Sequence, residues 1–479
     1  MRTLTLVTSA AFVAFTAFPI GAQDPALRDS ASVIMIGPKA VTADSALRVE
    51  EAKGFDGVVL AADHGEIVLR KAYGLAVRSP KRAFVPSTVV QIGSNTKDFT
   101  AVSILQLQEQ GKLSVTDSIG KYLKIVPADK RAITIWDLLT HRSGLPLYSG
   151  MDFEPVTRDS FLVRVMQTPL KFAPGTGQQY SNVGYSVLAA IIEQLTGDSY
   201  GSYVNTHIWI PLGMHDTGLL LTNYDTLRLA HGYQGDVDNG TMLGKPHARD
   251  GPYWNLRGNG GFLSTVTDMY HFYDVLFNSS TLLKPATRDL HYNPDVPMAL
   301  AGSDMISFFL YERAPRAGMV LIMATNGSDY PAPKARDGAA AALGLPAMGG
   351  GRRTMGGPKQ ADAGAAGAKA VTLPATAAGR QAAAFIAMFN AGDTTAARKF
   401  MLEQLTRNPN AHLTMEERLS QYRGMRAMIG SMIAVEIISS APTEIVLRMR
   451  TEKGENPVLT ITVEPAAPNR IAAVRLEAQ

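Results

Sequence analysis

Apolar and polar positions along the chain change period several times, and each change predicts an element. From Phe55 to Leu75 the two alternate well enough for a pair of strands about an Asp63-His64-Gly65 turn. Phe84 to Ile92 reads as another strand-like run. Beyond it, Phe99, Val102, Leu105 and Leu107 fall at helical spacing, and Gly111 marks the end of that helix. Thr134-Ile135-Trp136-Asp137 is a capping box opening a short helix that stops at Ser143-Gly144. Val183 to Leu195 predicts a buried helix with Gly197 as its C-terminal stop. Gly258-Asn259-Gly260-Gly261 predicts a tight turn, after which Thr265 and Asp268 cap a further helix. Met305 to Tyr311 and Met319 to Thr325 read as a strand pair around Pro315 to Gly318, followed by a helix from about Lys334 to Leu343. Strands at both ends of a region with a helical middle predict an α+β fold, an antiparallel sheet flanked by helices with an inserted helical part.

The pattern then breaks. Met348 to Ala378 is rich in Gly, Ala and Pro and poor in large apolar residues, which predicts a flexible linker over 348–378. Helices at about Thr376–Asn390, Thr394–Leu405 and Thr414–Met428 come next. Four alternating strands follow, Ile433–Ile438, Glu444–Thr451, Val458–Glu464 and Ile471–Leu476. A second, small α+β domain over 379–479 is the expectation, and 479 residues suit a large domain plus a smaller one. At the other end, Met1-Arg2, an apolar run from Leu4 to Phe18 and Ile20-Gly21-Ala22 read as a signal peptide over 1–22, so the first domain spans 23–347. The run is short for a membrane span, and export to the periplasm or medium is expected, with no stable membrane insertion after cleavage.

A net charge of +4 with no basic run interleaved with aromatics gives no argument for nucleic acid. The chain has no cysteine, which removes disulfides, a thiol nucleophile and thiolate metal sites. No two histidines share a spacing suited to a metal pair on one helix, so neither a metal nor a cofactor is expected.

Ser94-Asn95-Thr96-Lys97 sits at the junction between the strand-like run and the first long helix. Side chains at i and i+3 of a helix lie about 5–6 Å apart, so Lys97 can reach Ser94 unaided. A helix start also directs backbone N–H groups toward a developing oxyanion. That combination points to acyl transfer through an acyl-serine. Tyr180-Ser181-Asn182, preceded by Phe172-Ala173-Pro174-Gly175, opens the buried helix at Val183.

With these motifs the sequence resembles the serine β-lactamase and penicillin-binding-protein superfamily, in the branch of class C β-lactamases, D-alanyl-D-alanine carboxypeptidases and related esterases. Further matching stretches are Gly111-Lys112-Leu113, Leu138 to Leu145, Pro211-Leu212-Gly213-Met214 and Gly260 to Thr265, and the resemblance runs from about Phe55 to Leu345. It implies the β-lactamase/transpeptidase-like fold. It also implies Ser94 as nucleophile, Lys97 as its proton acceptor or the partner of Tyr180, Tyr180 as general base and then acid, and Asn182 as the residue holding Lys97 and a substrate amide. Bringing a tyrosine from about 10 to near 7 needs about 4 kcal/mol, which one cation at roughly 4 Å supplies at an effective dielectric of about 20.

The third family motif, Lys-Thr-Gly or His-x-Gly on an inner strand, falls on Leu300-Ala301-Gly302-Ser303-Asp304, with Leu300 in the basic position. An oxyanion hole needs only backbone N–H groups, here from Ser94 and the Gly302, Ser303, Asp304 stretch. The missing cation argues against carboxylate-bearing substrates more than against simple esters or amides, and Thr265 to Gly302 is short for the family. The expected activity is therefore an exported serine hydrolase acting on an ester or amide, with D-amino-acid peptides, peptidoglycan-derived compounds and β-lactam relatives in the substrate class. The alternative is a binding or sensor protein that has lost turnover. Tyr148 to Arg158 and Gly235 to Leu256 are the loops expected to set specificity.

Gly197-Asp198-Ser199-Tyr200-Gly201 matches the nucleophile elbow of another hydrolase fold, but a helix rather than a strand precedes it, so it reads as a loop between helices. His141 and His231 read as structural histidines. The region beyond the linker resembles, on Phe385, Phe389-Asn390-Ala391-Gly392-Asp393 and its helix-strand order, the cone fold of nuclear transport factors and ketosteroid isomerases. With no Asp and His gathered for a base, that region reads as a docking or oligomerisation module.

Overall fold

The computed structural model describes residues 31–220, 225–303, 306–327, 332–345, 371–405, 430–452 and 457–477, with isolated residues between 415 and 426. The expected signal peptide lies outside the described residues, as do most of the expected linker and most of the helix expected at Thr414–Met428.

Six antiparallel strands form the main sheet: β1 (Ile34–Met35), β2 (Gly57–Asp63), β3 (Glu66–Tyr73), β6 (Met298–Ser303), β7 (Phe308–Ala314) and β8 (Met319–Thr325), in the order β1-β3-β2-β8-β7-β6. The first and last parts of the chain meet at its centre, where β2 pairs with β8 from Gly57↔Thr325 to Asp63↔Met319. Period-two patterning assigns the two faces. Val58, Leu60, Phe309, Tyr311 and Ile322 join one apolar cluster, whereas Val59, Ala61, Leu310, Leu321 and Met323 join another.

Onto the first face, against β2 and β8, packs α6 (Val266–Asn278), and α2 (Thr96–Glu109) and α5 (Asn182–Thr196), packed on each other, extend the same apolar cluster. Helices α1 (Gly37–Glu51) and α8 (Ala332–Leu343) cover the second. Between α2 and α5 lie α3 (Ile135–Leu139), with both hydrogen bonds of its capping box formed, and α4 (Arg158–Gln167). Gly197 closes α5 in the left-handed conformation, as its position after Leu195 predicts. The expected antiparallel sheet with flanking helices is therefore the fold this chain adopts.

Several boundaries differ from the sequence reading. Within Phe84–Ile92 only β4 (Val90–Gln91) is strand, paired with β5 (Leu263–Ser264), because Pro86 cannot donate and the Val85–Thr88 turn closes there instead. Strand β6 carries no clear alternation of its own, and β7 begins three residues later than Met305. Helix α1 and strand β1 precede the stretch where the resemblance starts.

Beyond the undescribed 346–370 stretch, α9 (Ala377–Ala391) and α10 (Thr394–Gln404) pack on a meander of β9 (Met432–Ser440), β10 (Glu444–Thr451), β11 (Val458–Val463) and β12 (Ile471–Glu477). Ile445, Leu447, Met449, Leu459 and Ile461 line its apolar face, again at period two. Val371 and Leu373 pack against this cluster, and the Val371 N–H bonds the Ala434 carbonyl at 2.8 Å. Val371 and Leu373, inside the stretch expected as linker, thus belong to the second region's core.

Candidate active site

Helix α2 starts in a way that exposes one hydroxyl. Gly93 takes φ +49°, a conformation that costs glycine little. Residues Gly93–Asn95 then form one 3₁₀ turn that leads into Thr96. Ser94 is half-buried on this turn, and Lys97, one turn on, is only 2% exposed. The Lys97 Nζ donates to Ser94 Oγ at 3.0 Å and to the Asn259 carbonyl at 2.8 Å.

Tyr180 arrives from the entry of α5. Ser181 is that helix's N-cap: its Oγ accepts the Gly184 N–H at 3.0 Å and donates to the Pro146 carbonyl at 2.7 Å. These bonds fix the residue just before the cap, so the Tyr180 ring lies under Lys97 Nζ, 4.9 Å from its centroid, and its phenol hydrogen-bonds Ser94. His141, held at φ +59°, backs the arrangement. Its ring packs on Tyr180 at 4.4 Å between centroids, and its Nδ1 accepts the Ser181 N–H at 3.2 Å.

Charge in this pocket follows burial. With no water around the ammonium, the Lys97 amine falls to about 7, although Asp98 and Asp152 pull the other way. Burial lowers His141 to about 3, helped by the Lys97 and His291 charges, so its imidazole is neutral. Tyr180 moves opposite to the sequence expectation. Burial raises its phenol above the ordinary tyrosine range, and only the Ser94 hydrogen bond opposes this. The Lys97 nitrogen lies 4.9 Å from the ring centroid, and no attraction from it offsets the effect of burial on the phenol. Lys97 can accept a proton near neutral pH, and Tyr180 can donate one.

Asn182 opens α5 with its N–H on the Leu147 carbonyl at 3.0 Å, while its Oδ1 is buried without a partner. Lys97 therefore takes the Asn259 carbonyl where the resemblance placed Asn182. Nothing in a Gly-Asn-Gly-Gly stretch distinguishes a carbonyl that holds a lysine from one that merely turns the chain. Asn259 also donates to Ser186 Oγ at 2.8 Å and to the Asn255 carbonyl at 2.9 Å, which locks that turn.

The edge strand β6 forms the other wall. It pairs with β7 from Met298↔Arg313 to Ser303↔Phe308, and at Gly302 it presses against the nucleophile turn. A Cβ on Gly302 would lie 2.1 Å from the Ile92 carbonyl oxygen and 2.6 Å from the Ser94 nitrogen. One on Gly93 would lie 2.7 Å from the Ser303 nitrogen. The two backbones approach as only paired glycines allow, so the strand stays in place despite the short interval before it, which α6 and α7 (Pro285–His291) fill. Leu300 is buried in the apolar cluster and brings no charge. Asp304 lies outside the described residues.

The loops expected to set specificity are tied together. Asn255 bonds Ser149 Oγ at 2.9 Å, the Met151 carbonyl at 2.8 Å and Glu154 Oε2 at 2.9 Å, and Arg164 clamps Glu154 with both of its terminal nitrogens. Ser199 caps the short helix Tyr200–Val204 and pairs with Ser202, far in role from a nucleophile elbow. His231 pairs with Asp238.

Among curated proteins the chain is similar to penicillin-binding protein 4* of Bacillus subtilis (strain 168), 29% identical over 287 residues. That match takes in 56% of this chain and 62% of the relative. It is also similar to esterase EstB of Burkholderia gladioli, 33% identical over 197 residues, 37% of this chain and 50% of the relative. The chain thus spans only half to three-fifths of the length of these relatives. Among solved structures, FmtA from Staphylococcus aureus matches with a TM-score of 0.55 at 23% identity, over 66% of this chain and 92% of that one, which shows a shared fold. The Beta-lactamase family model matches residues 44–345, a span that holds Ser94, Lys97, Tyr180, Asn182 and the β6 wall, and the chain belongs to that family.

Proposed function

We propose that this protein is an exported serine hydrolase that forms an acyl-enzyme at Ser94 and acts on an ester or amide. The observation that carries the reading is the Lys97 amine, buried, held near neutrality and 3.0 Å from the Ser94 hydroxyl. As Ser94 Oγ attacks the acyl carbon, neutral Lys97 takes its proton. The oxyanion is held by the Ser94 amide and by backbone of β6 around Gly302 and Ser303. The Tyr180 phenol protonates the leaving alcohol or amine and is reprotonated from Lys97. Water then attacks the acyl-serine, its proton returns through the same pair, and the acid and free Ser94 are released. Asn182, whose buried Oδ1 has no partner in the structure, is the residue we assign to a substrate amide N–H, as the resemblance implies.

With Leu300 in place of a cation, neutral esters and amides fit better than substrates carrying a carboxylate. The relatives named as a penicillin-binding protein and an esterase support this class, peptidoglycan-derived compounds included. The missing cation also favours a second reading, a penicillin-binding-type sensor without turnover. We assign the region beyond 370 to the cone fold as a docking module, on its helix-strand order. Incubating the mature protein with a fluorophosphonate and with a p-nitrophenyl ester tests the first reading. Labelling and multiple turnover, both abolished in Ser94→Ala, are expected. Equal labelling of the alanine variant overturns the acyl-serine, and labelling without turnover selects the sensor.

A further inference from the structure

The β6 wall carries no charged side chain at Leu300 to hold it against the nucleophile, yet it sits in contact with the Ser94 turn. The groups that hold it come from behind. Asn95, between the two motif residues and 1% exposed, donates from Nδ2 to the Leu300 carbonyl at 3.4 Å and to Tyr273 Oη at 2.9 Å. Tyr273 Oη donates in turn to Asp98 Oδ2 at 2.6 Å, and Asp98 Oδ1 accepts Tyr292 Oη at 3.1 Å. All four side chains are essentially solvent-free. The Tyr273 ring also stacks on Tyr311 of β7, the neighbour of β6, at 3.8 Å between centroids.

The donors and acceptors run in one direction: amide to phenol, phenol to carboxylate. Asp98 fixes the Tyr273 hydroxyl, whose lone pair then fixes the Asn95 amide, and that amide spans the gap to the backbone of β6 two residues before Gly302. A carbonyl anchor survives any change of the Leu300 side chain. Tyr292 completes Asp98 through its hydroxyl, whereas the bond to the β6 backbone comes from Asn95.

We infer that Asn95 and Tyr273 are positioning residues for acylation, which set the separation between the Ser94 amide and the β6 backbone by way of an Asn95–Tyr273–Asp98 relay. This rests on the acyl-serine reading of Ser94. A displacement of about 1 Å at such a wall costs roughly 100-fold in rate.

The test measures the maximal labelling rate and the initial binding constant for a fluorophosphonate on the full-length mature protein. Wild type is compared with Tyr273→Phe, Asn95→Ala, the double variant and Tyr292→Phe, and the fold of each is followed by thermal melting. Tyr273→Phe and Asn95→Ala are expected to slow labelling by about 10- to 100-fold with initial binding unchanged. The double variant should be no slower than the worse single one, because both break the same relay. Tyr292→Phe should lower the melting temperature but keep the wild-type rate. The inference is overturned if Tyr292→Phe slows labelling as much as Tyr273→Phe, if both single variants label at the wild-type rate, or if their effects multiply in the double variant. A wild type that does not label, or labels equally as Ser94→Ala, instead removes the acyl-serine reading and this inference with it.

Discussion

At the scale of single residues, burial rather than sequence neighbours sets the chemistry. Lys97 lies beside Asp98 in sequence, which by itself would keep it charged. Loss of water outweighs that attraction and brings the amine down to about 7. A proton acceptor must be unprotonated, so acylation should rise about tenfold per pH unit below pH 7 and level off above it. Single-turnover acylation with a p-nitrophenyl ester from pH 5 to 9 measures this, and a flat profile would exclude Lys97 as the group that titrates. Because burial raises Tyr180 instead of lowering it, no falling limb from its ionisation is expected in that range. The sequence named both residues correctly as neighbours of Ser94. It left two roles open for Lys97, proton acceptor or partner of Tyr180, and the burial that lowers the amine and raises the phenol favours the first.

At the scale of elements, the site is a meeting of one helix start, one helix entry and one strand edge. The helix start and entry were legible: the Ser-x-x-Lys spacing at the strand–helix junction and the Tyr180-Ser181-Asn182 stretch opening the buried helix are local signals that act within a few residues. The strand edge was not, because β6 owes its place to β7 and to Gly93 rather than to its own alternation. Its contact with the nucleophile turn gives a sharp expectation. Gly302→Ala would put a methyl 2.1 Å from the Ile92 carbonyl oxygen, so the strand must move away from Ser94. Acylation should fall by about 100- to 1000-fold, and overpacking should cost about 1–3 kcal/mol of stability. Stopped-flow acylation and chemical denaturation read the two effects separately. Wild-type acylation by this variant would mean that β6 is no part of the site.

At the scale of the whole molecule, the chain builds apolar clusters that do not share residues. Among the described residues, the two on either face of the main sheet draw on residues up to 345, and the third on residues from 371 onward. Every group assigned to the chemistry belongs to the first set. A chain ending after Leu345 should therefore fold and label at Ser94 at the rate of the full chain, as fluorophosphonate labelling and thermal melting of the two forms would show. A truncated form that melts cooperatively but does not label would make the second region part of the catalytic machinery.

The sequence by itself determined what depends on near neighbours: the period-two and helical runs, the caps at Thr134 and Thr265, the Gly197 stop, and the Ser94/Lys97 spacing. Each is enforced by backbone geometry over a turn or less, so no distant residue is needed to read it. Tertiary structure decided what depends on removing water and bringing distant backbone together. It placed the Asn259 carbonyl on Lys97, His141 behind Tyr180, the Asp98–Tyr273–Asn95 relay behind β6, and Gly302 against Gly93. Such contacts join residues some 40 to 210 positions apart, and no local pattern encodes which of many buried polar groups will meet.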